Sequence, residues 1–284
     1  MTRIAYVNGA YVRHTQAHVH IEDRGHQFAD AIYEVCLVVG GKYWDLDDHL
    51  ARMRRSLDAL EIDLPMTDAA MTVILREVLR QNRLHDALVY FQISRGVASR
   101  NHAFPHADTP PGLVVTARKF DIGQSDETAT TGIHVITQPD IRWGRVDIKT
   151  VGLLPNVLAK QAAIRAHAAE AWLTRGDKIT EGTSSNAWII KDDGVLVTHP
   201  KTNEILGGVT RETVLACARA LQITIREEAF SLQAVQSARE AFVSSATSLV
   251  MPVVSLDGTS IGTGTPGPIT MRLRDAYKAR AAGA

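Results

Sequence analysis

Thr180-Glu181-Gly182-Thr183-Ser184-Ser185-Asn186, running into Ala187-Trp188-Ile189-Ile190, is the stretch on which the reading of this chain turns. A carboxylate, a run of small polar residues and an apolar strand follow one another without a break. Around it, Ala171 to Thr198 is strand-rich, with a turn at Asp192-Asp193-Gly194. Upstream, a helix is expected from about Pro155 to Ala169. Ahead of that helix stands Asp147-Ile148-Lys149-Thr150, its lysine 32 residues before Glu181. Downstream, Thr210 is read as the cap of a helix with Val214, Leu215, Ala218 and Leu221 on one face. Strands follow near Ile223 to Arg226, Ala241 to Ser244 and Val250 to Leu256, then a C-terminal helix from about Ile269 to Ala282. Gly262-Thr263-Gly264-Thr265-Pro266-Gly267 carries no phosphate-loop lysine and reads as a plain loop.

The first half is organised differently. Ile4 to Val7 and Ala10 to Val12 flank Asn8-Gly9, a two-residue hairpin signal. Ala31 to Val39 is a β-branched run. A helix is expected from about Asp47, with Leu50, Met53, Leu57 and Leu60 on its apolar face. Thr67 caps a second helix, carrying Met71, Ile74, Leu75, Val78 and Leu79. Strands Ala87 to Ser94 and Leu113 to Lys119 complete a β-β-α-α-β-β order. Phe120 to Thr131 is polar with little periodicity and is read as a linker. The expected organisation is a domain over 1–120, a linker over 121–131 and a second domain over 132–284, opening with strand Ile133 to Thr137.

Composition limits the function. In 284 residues, 45% are hydrophobic and 22% charged, a balance that excludes disorder as the main state. A formal net charge of zero argues against a dedicated nucleic-acid binder. No apolar run reaches the ~18–20 residues of a membrane helix, and Met1 to Tyr6 has no signal-peptide core. Cys36 and Cys217 fit neither a metal spacing nor a disulfide framework and are expected as buried packing residues. The expectation is a cytoplasmic α/β enzyme without a metal.

Four neighbourhoods could carry chemistry. Lys149 is one of only eight lysines against 23 arginines, and lysine is the residue type that forms a Schiff base with an aldehyde. Glu181 could face a cofactor ring nitrogen, or belong to a capped turn. Gly207-Gly208-Val209-Thr210-Arg211 leads into a helix whose N–H groups could bind an anion, and Ser244-Ser245-Ala246-Thr247-Ser248 and His49-Leu50-Ala51-Arg52 are further phosphate candidates. In Arg95 to Pro105, Arg100 and His102 flank one residue, so in an extended loop both can meet one carboxylate. Taken singly, Lys149 reads as a surface lysine, and the phosphate and loop candidates as caps, turns and solvated cations.

In combination they resemble fold-type IV pyridoxal-phosphate enzymes. Lys149 and the Glu181 motif carry the resemblance, together with Glu22-Asp23-Arg24-Gly25-His26-Gln27-Phe28-Ala29-Asp30-Ala31-Ile32-Tyr33-Glu34-Val35, His49-x-x-Arg52, Asp140-Ile141-Arg142-Trp143 and Gly208-Val209-Thr210-Arg211. The resemblance covers nearly the whole chain. It implies a two-domain α/β (α+β) fold, with a small N-terminal α/β domain and a larger C-terminal pseudo-barrel. Within the family the chain looks most like the D-amino-acid transaminases, on Tyr33, Tyr90 and the Arg100-Asn101-His102 loop.

The resemblance implies pyridoxal 5'-phosphate as cofactor, with Lys149 as Schiff-base lysine and proton shuttle and Glu181 at the ring nitrogen. Arg52, Val209, Thr210, Ser245 and Ala246 would hold the cofactor at its phosphate. Ala246 stands where that subfamily commonly has a hydroxyl residue, with Thr247 beside it. Tyr33 and Tyr90 would bind substrate together with Arg100 and His102, the latter two contributed by the partner in a homodimer. Glu170 is expected near Lys149. Leu37 and Gly152-Leu153-Leu154-Pro155 depart from the best-known relatives near the pocket. The implied reaction is ping-pong transamination between D-amino acids such as D-alanine and 2-oxo acids such as 2-oxoglutarate or pyruvate. The same fold also admits an L-branched-chain or (R)-amine transaminase, or an aminodeoxychorismate lyase.

Overall fold

The computed structural model describes residues 3–281 and 283. The chain divides into two compact units, one of residues up to Asp121 together with Ile148–Gly152, the other of Ile122–Asp147 and the residues from Leu153 onward.

The first unit contains β1 (Ile4–Val7), β2 (Ala10–Arg13), α1 (Arg24–Phe28), β3 (Ala31–Val39), β4 (Lys42–Tyr43), α2 (Leu46–Ala59), α3 (Asp68–Asn82), β5 (Ala87–Ser94) and β6 (Gly112–Lys119). The strands form one sheet in the order β2-β1-β6-β5-β3-β4. Asn8 and Gly9 turn the first hairpin with φ of 45° and 99°, the left-handed geometry that a two-residue connection requires. Strand alternation divides the sheet into two faces. Ile32, Cys36, Val38, Val89, Phe91, Ile93 and Val115 pack against Leu50, Met53 and Leu57 of α2 and Met71, Leu75 and Val78 of α3. Tyr33, Tyr90 and Gln92 fall on the other face. Helix α2 begins at Leu46 with Asp45 as its N-cap, ahead of the expected start, which puts Asp47 and Asp48 in the first turn where acids suit the helix dipole.

One charged residue lies on the apolar face. Glu34 follows Ile32 by two and precedes Cys36 by two, so the strand period drives it inward, and it is fully buried. Arg52 from α2 meets it with two parallel bonds, Nε to Oε1 at 2.8 Å and Nη2 to Oε2 at 2.7 Å. His49, one turn earlier, donates through Nδ1 at 2.7 Å. Burial alone would raise the Glu34 carboxyl, but the Arg52 guanidinium and the His49 ring hold it well below the usual carboxylate range. Arg52, which read singly as a solvated cation, is thus buried.

The second unit contains α4 (Ile122–Thr131), β7 (Ile133–Pro139), α5 (Leu154–Arg165), β8 (Glu170–Arg175), β9 (Lys178–Gly182), β10 (Asn186–Ile190), β11 (Leu196–Thr198), α6 (Val209–Ala220), β12 (Ile225–Glu227), α7 (Leu232–Gln236), β13 (Glu240–Ser245), β14 (Leu249–Leu256), β15 (Thr259–Ser260) and α8 (Pro268–Ala281). Ala282, the last residue of the expected C-terminal helix, lies outside the described residues. The sheet path is β12-β11-β10-β13-β14-β7-β8-β9, with β15 on β14. Along it β9 stands five strand spacings from β10, about 24 Å in a flat sheet. Yet the three residues Thr183, Ser184 and Ser185 join them, and such a link reaches at most ~14 Å. The sheet therefore curls into the expected pseudo-barrel, and the Gly182 N–H donates to the Ser185 carbonyl at 2.7 Å across the closing turn. Trp172, Ile179, Ile189, Val197, Val243 and Val253 belong to its core. β10 is buried on both faces, which is why it reads as a continuous apolar run.

Three local expectations change. Residues 122–131, polar enough to read as a linker, form α4. Its Ala129 is fully buried, and Asp126 is held by Arg274 and Lys278 of α8 at 2.8 and 2.7 Å, tertiary pairing that overrides weak periodicity. Helix α5 stops at Arg165, because the chain must leave it to enter β8 at Glu170. Helix α6 takes Gly208 as its N-cap and places Thr210 inside the first turn. Cys36 and Cys217 are free and buried. Among the described residues no helix is long and apolar enough to cross a membrane.

Two stability measurements probe this architecture. A Cβ at Gly182 would stand 2.3 Å from Ser185 Oγ and 3.2 Å from its carbonyl oxygen. Gly182→Ala is expected to cost about 1–3 kcal/mol in urea unfolding, and an unmoved midpoint would show that the closing turn tolerates a side chain. Glu34→Gln leaves Arg52 without its counter-charge and is expected to cost about 3–5 kcal/mol near neutral pH. Because the folded Glu34 pKa is depressed, its contribution is complete above the unfolded value of about 4.3 and fades as pH falls below it. The gap between wild type and variant should therefore start to narrow near the unfolded value and go on narrowing until the pH reaches the folded pKa, well below the usual carboxylate range.

Candidate active site

In the first unit, Lys149 lies on the segment Ile148–Gly152 that runs beside the start of β3. Tyr33 N–H donates to the Lys149 carbonyl at 3.0 Å, Val151 N–H to the Ala31 carbonyl at 3.1 Å, and Ile32 bridges Thr150. Ile148 is buried in the core, which turns Lys149 to the other side. Its ammonium nitrogen lies 4.0 Å from the centroid of the Tyr33 ring. Its backbone N–H donates to Ser56 Oγ at 3.3 Å, tying the segment to α2. The Tyr33 and Tyr90 rings stack at 5.6 Å, a consequence of the register that sets Val35 opposite Tyr90 and Gln92 opposite Tyr33. Tyr90 donates its hydroxyl to Gln92 Oε1 at 2.7 Å. Burial pushes the Tyr90 phenol up to about 12, so it acts as a neutral donor.

Arg100 and His102 are both exposed. They converge on one ring: the Arg100 guanidinium lies 4.7 Å from the Phe28 centroid and the His102 ring 5.4 Å from it. Among the described residues, no hydrogen bond or ring contact joins either of them to Tyr33 or Tyr90 of the same chain.

In the second unit, Glu181 on β9 is 5% exposed and surrounded by donors. Arg142 donates to Oε1 through Nη1. The Leu206 N–H lies 3.1 Å from both oxygens, and Asn186 Nδ2 donates to Oε2 at 2.9 Å. Arg142 is itself set by Asp140, at 2.9 Å to Nε and 2.8 Å to Nη2. Burial pushes the Glu181 carboxyl above its ordinary range, while the Arg142 guanidinium and the Leu206 N–H act in the opposite direction. Three donors on a carboxylate with about four lone-pair positions leave an acceptor for one more N–H. That donor set fits a protonated ring nitrogen.

Asn186 also donates to the Leu206 carbonyl at 2.9 Å. Its Oδ1 lies so close to Gly208 that a Cβ there would stand 2.2 Å away. One amide therefore links Glu181 to the N-cap of α6. The N–H groups of Val209, Thr210 and Arg211 open this 12-residue helix and have no acceptor within it. β10 pairs with β13 so that Asn186 faces Ser244, and Ser245 follows. Ser245 Oγ lies 3.1 Å from Thr247 Oγ1 and accepts the Ser248 N–H at 3.0 Å. Ala246 between them offers only its backbone. A helix N-terminus beside hydroxyls fits a phosphate.

Glu170, expected near Lys149, engages the turn after Glu181. Its Oε1 accepts from Ala171 N–H at 3.0 Å, Thr183 N–H at 3.3 Å and the Thr183 hydroxyl, and its Oε2 from Ser184 and Ser185 at 3.3 and 3.1 Å.

Sequence reading passed over Glu34, Arg142 and Asn186, although all three lie inside stretches it singled out. A charged residue at an inward strand position marks Glu34. For Arg142 and Asn186 no local signal exists, since their partner Glu181 is reached only through the sheet.

Comparison with known proteins gives the family and the fold. A family model for amino-transferase class IV matches residues 31–256. The D-alanine aminotransferase of Staphylococcus haemolyticus is 39% identical over 277 residues, covering 98% of this chain and 97% of that protein. That of Bacillus licheniformis is 40% identical over 271 residues, covering 95% and 94%. Among solved structures, the branched-chain amino acid aminotransferase of Escherichia coli superposes with a TM-score of 0.89 at 24% identity, covering 100% of this chain and 96% of that one. The branched-chain amino acid aminotransferase of Thermobaculum terrenum, in its PLP-form, gives 0.84 at 23% identity, covering 99% and 94%. The structural likenesses establish the fold. With the family model spanning most of its length and near-full-length relatives at 39% identity, the chain belongs to the class IV aminotransferase family.

Proposed function

We propose that this chain is a pyridoxal 5'-phosphate-dependent transaminase, exchanging amino groups between D-amino acids, D-alanine among them, and 2-oxo acids such as 2-oxoglutarate or pyruvate. It works by a ping-pong scheme as a cytoplasmic homodimer. The observation that carries the substrate class is the pair of exposed nitrogen donors, Arg100 and His102, gathered on Phe28. Such a pair suits a small α-carboxylate and has no purpose for a simple amine. The pair is assigned to the substrate of a neighbouring protomer, as the resemblance to the D-amino-acid transaminases implies. The relatives named D-alanine aminotransferase support the same reading.

When bound, the cofactor supplies an aldehyde for the amino group and a ring that takes up the electron pair left by Cα–H cleavage. The residues assigned to the cofactor are Lys149, Arg52, Glu181, Val209, Thr210, Ser245 and Ala246. Lys149 would supply the primary amine that holds the cofactor. With its amine free, Lys149 Nζ would be the base that takes the proton from the substrate Cα and the acid that later gives a proton back. Glu181 would accept the ring N–H, and Arg142 holds that carboxyl group in place. The residues that would hold the phosphate are the first N–H groups of α6, the Thr210 and Ser245 hydroxyls, the backbone at Ala246 and the Arg52 guanidinium. Tyr33 and Tyr90, with Arg100 and His102 of the partner subunit, grip the substrate carboxylate. The side on which it is gripped decides which enantiomer presents its Cα–H to Nζ.

The first test is a half-reaction. Holoenzyme mixed with D-alanine and no acceptor is expected to lose its visible absorption, while L-leucine and (R)-1-phenylethylamine leave it unchanged. Bleaching by L-leucine or the amine alone would refute the D-amino-acid reading and keep the family. Arg100→Ala should lower kcat/KM for D-alanine by the equivalent of about 2–5 kcal/mol, the range for truncating one side of a charge pair that substrate binding would desolvate. Lys149→Ala should abolish turnover, and an active variant would overturn the assignment of the lysine.

A further inference from the structure

The Arg100–His102 loop is exposed from Ser99 to Phe104 and takes part in no strand. Loops of this kind are ordinarily mobile, whereas two side chains that must meet one carboxylate need placement to within about 0.5 Å. Something must hold the loop, and the first unit contains a built device beneath it.

Arg24, in α1, is 4% exposed. Its guanidinium gathers successive carbonyls of the loop: Nη1 donates to Asn101 O at 2.6 Å and Ala103 O at 3.2 Å, and Nη2 reaches His102 O at 3.5 Å. Its Nε is anchored on Asp30 Oδ2 at 2.7 Å. Asp30 is shared with Arg95, which donates Nε to Oδ2 at 2.8 Å and Nη2 to Oδ1 at 3.1 Å. Arg95 is pinned in turn by the Leu60 and Glu61 carbonyls at 2.6 and 2.7 Å, and its guanidinium lies 3.7 Å from the Phe104 centroid, at the far end of the loop. Phe28, one helical turn after Arg24, has the Arg24 guanidinium 4.9 Å from its centroid and that of Arg100 4.7 Å from it. The loop backbone is thus tied to a buried cation, and its two working side chains rest on a ring of the same helix.

We infer that Arg24 is a positioning residue for substrate recognition: with Asp30 and Phe28 it sets the Arg100–His102 pair in the geometry that binds an α-carboxylate. This rests on the reading of Arg100 and His102 as the carboxylate contacts. A guanidinium is needed because only a planar fork offers enough donors to meet three carbonyls and a carboxylate together. Arg24 touches neither substrate nor cofactor, so its loss acts on substrate binding.

The test is steady-state kinetics of the holoenzyme with D-alanine and 2-oxoglutarate for Arg24→Met, Arg24→Lys and Phe28→Leu, with Arg100→Ala as reference. Cofactor absorption and the unfolding midpoint are recorded for each. The expected result is a KM for both substrates raised about tenfold or more, the size of one lost charge-assisted contact, with kcat within about threefold and the cofactor spectrum unchanged. Both KM values move together because both substrates present an α-carboxylate. Arg24→Lys, which keeps the charge and loses the fork, is expected to behave like Arg24→Met. If Arg24→Met does not fold, Arg24→Lys and Phe28→Leu carry the same expectation. Unchanged KM values in folded variants, with Arg100→Ala raising them, would overturn the brace and leave the proposed function standing. A variant that loses cofactor and kcat together would also overturn it, since that is general damage to the unit. Unchanged KM in Arg100→Ala would overturn the carboxylate reading and this inference with it.

Discussion

A carboxylate removed from water must be surrounded by donors, and this constraint organises both units. Isolated burial of the ion would cost several kcal/mol, so each buried acid collects partners from elements distant in sequence. Glu34 draws Arg52 and His49 from α2. Glu181 draws Arg142, Asn186 and the Leu206 N–H. Asp30 takes two arginines, and Glu170 takes backbone and hydroxyl donors alone. In each case the acid fixes the position of the groups that donate to it.

The consequence differs with the partner. Glu34 meets Arg52 through a bidentate edge, which orients a guanidinium more strictly than a single contact does. The pairing also locks α2 to β3, the strand that carries Tyr33 on its opposite face. Glu170, lacking a cation, serves as a template for the Thr183–Ser185 turn, which closes the barrel and separates Glu181 from Asn186. Asn186 then couples Glu181 to the N-cap of α6, so a polar contact at one end of the cofactor assignment is mechanically tied to the other. The glycine at position 208 follows from this crowding, since a side chain there would occupy the place of the Asn186 amide oxygen.

The first unit shows how strand periodicity distributes function. One face of β3 and β5 supplies the core, and the alternate residues Tyr33, Tyr90 and Gln92 form a half-buried polar face. The segment carrying Lys149 joins that unit although the residues on either side of it belong to the other. Its Ile148 is the apolar anchor that secures the excursion, and Lys149 takes its direction from that anchor.

Much was legible in the sequence because it is local. Turn chemistry at Asn8-Gly9, the period of α2 and α3, the apolar run of β10 and the ordered motifs around Lys149 and Glu181 depend on neighbours in the chain. The curled sheet is implied by the short link from β9 to β10, but only once their places along the sheet are known. The helix over 122–131 escaped because its stability comes from Arg274 and Lys278, which stand 148 and 152 residues from Asp126. The cap of α6 was displaced because Gly208 is held against Asn186. Arg52 read as a solvated cation because its partner is on another element. Sequence by itself determined which residue types stand at which strand and helix positions, and with them the family. Tertiary structure decided which charges meet, because a buried carboxylate selects its donors by proximity in space and leaves no trace in the spacing of the chain.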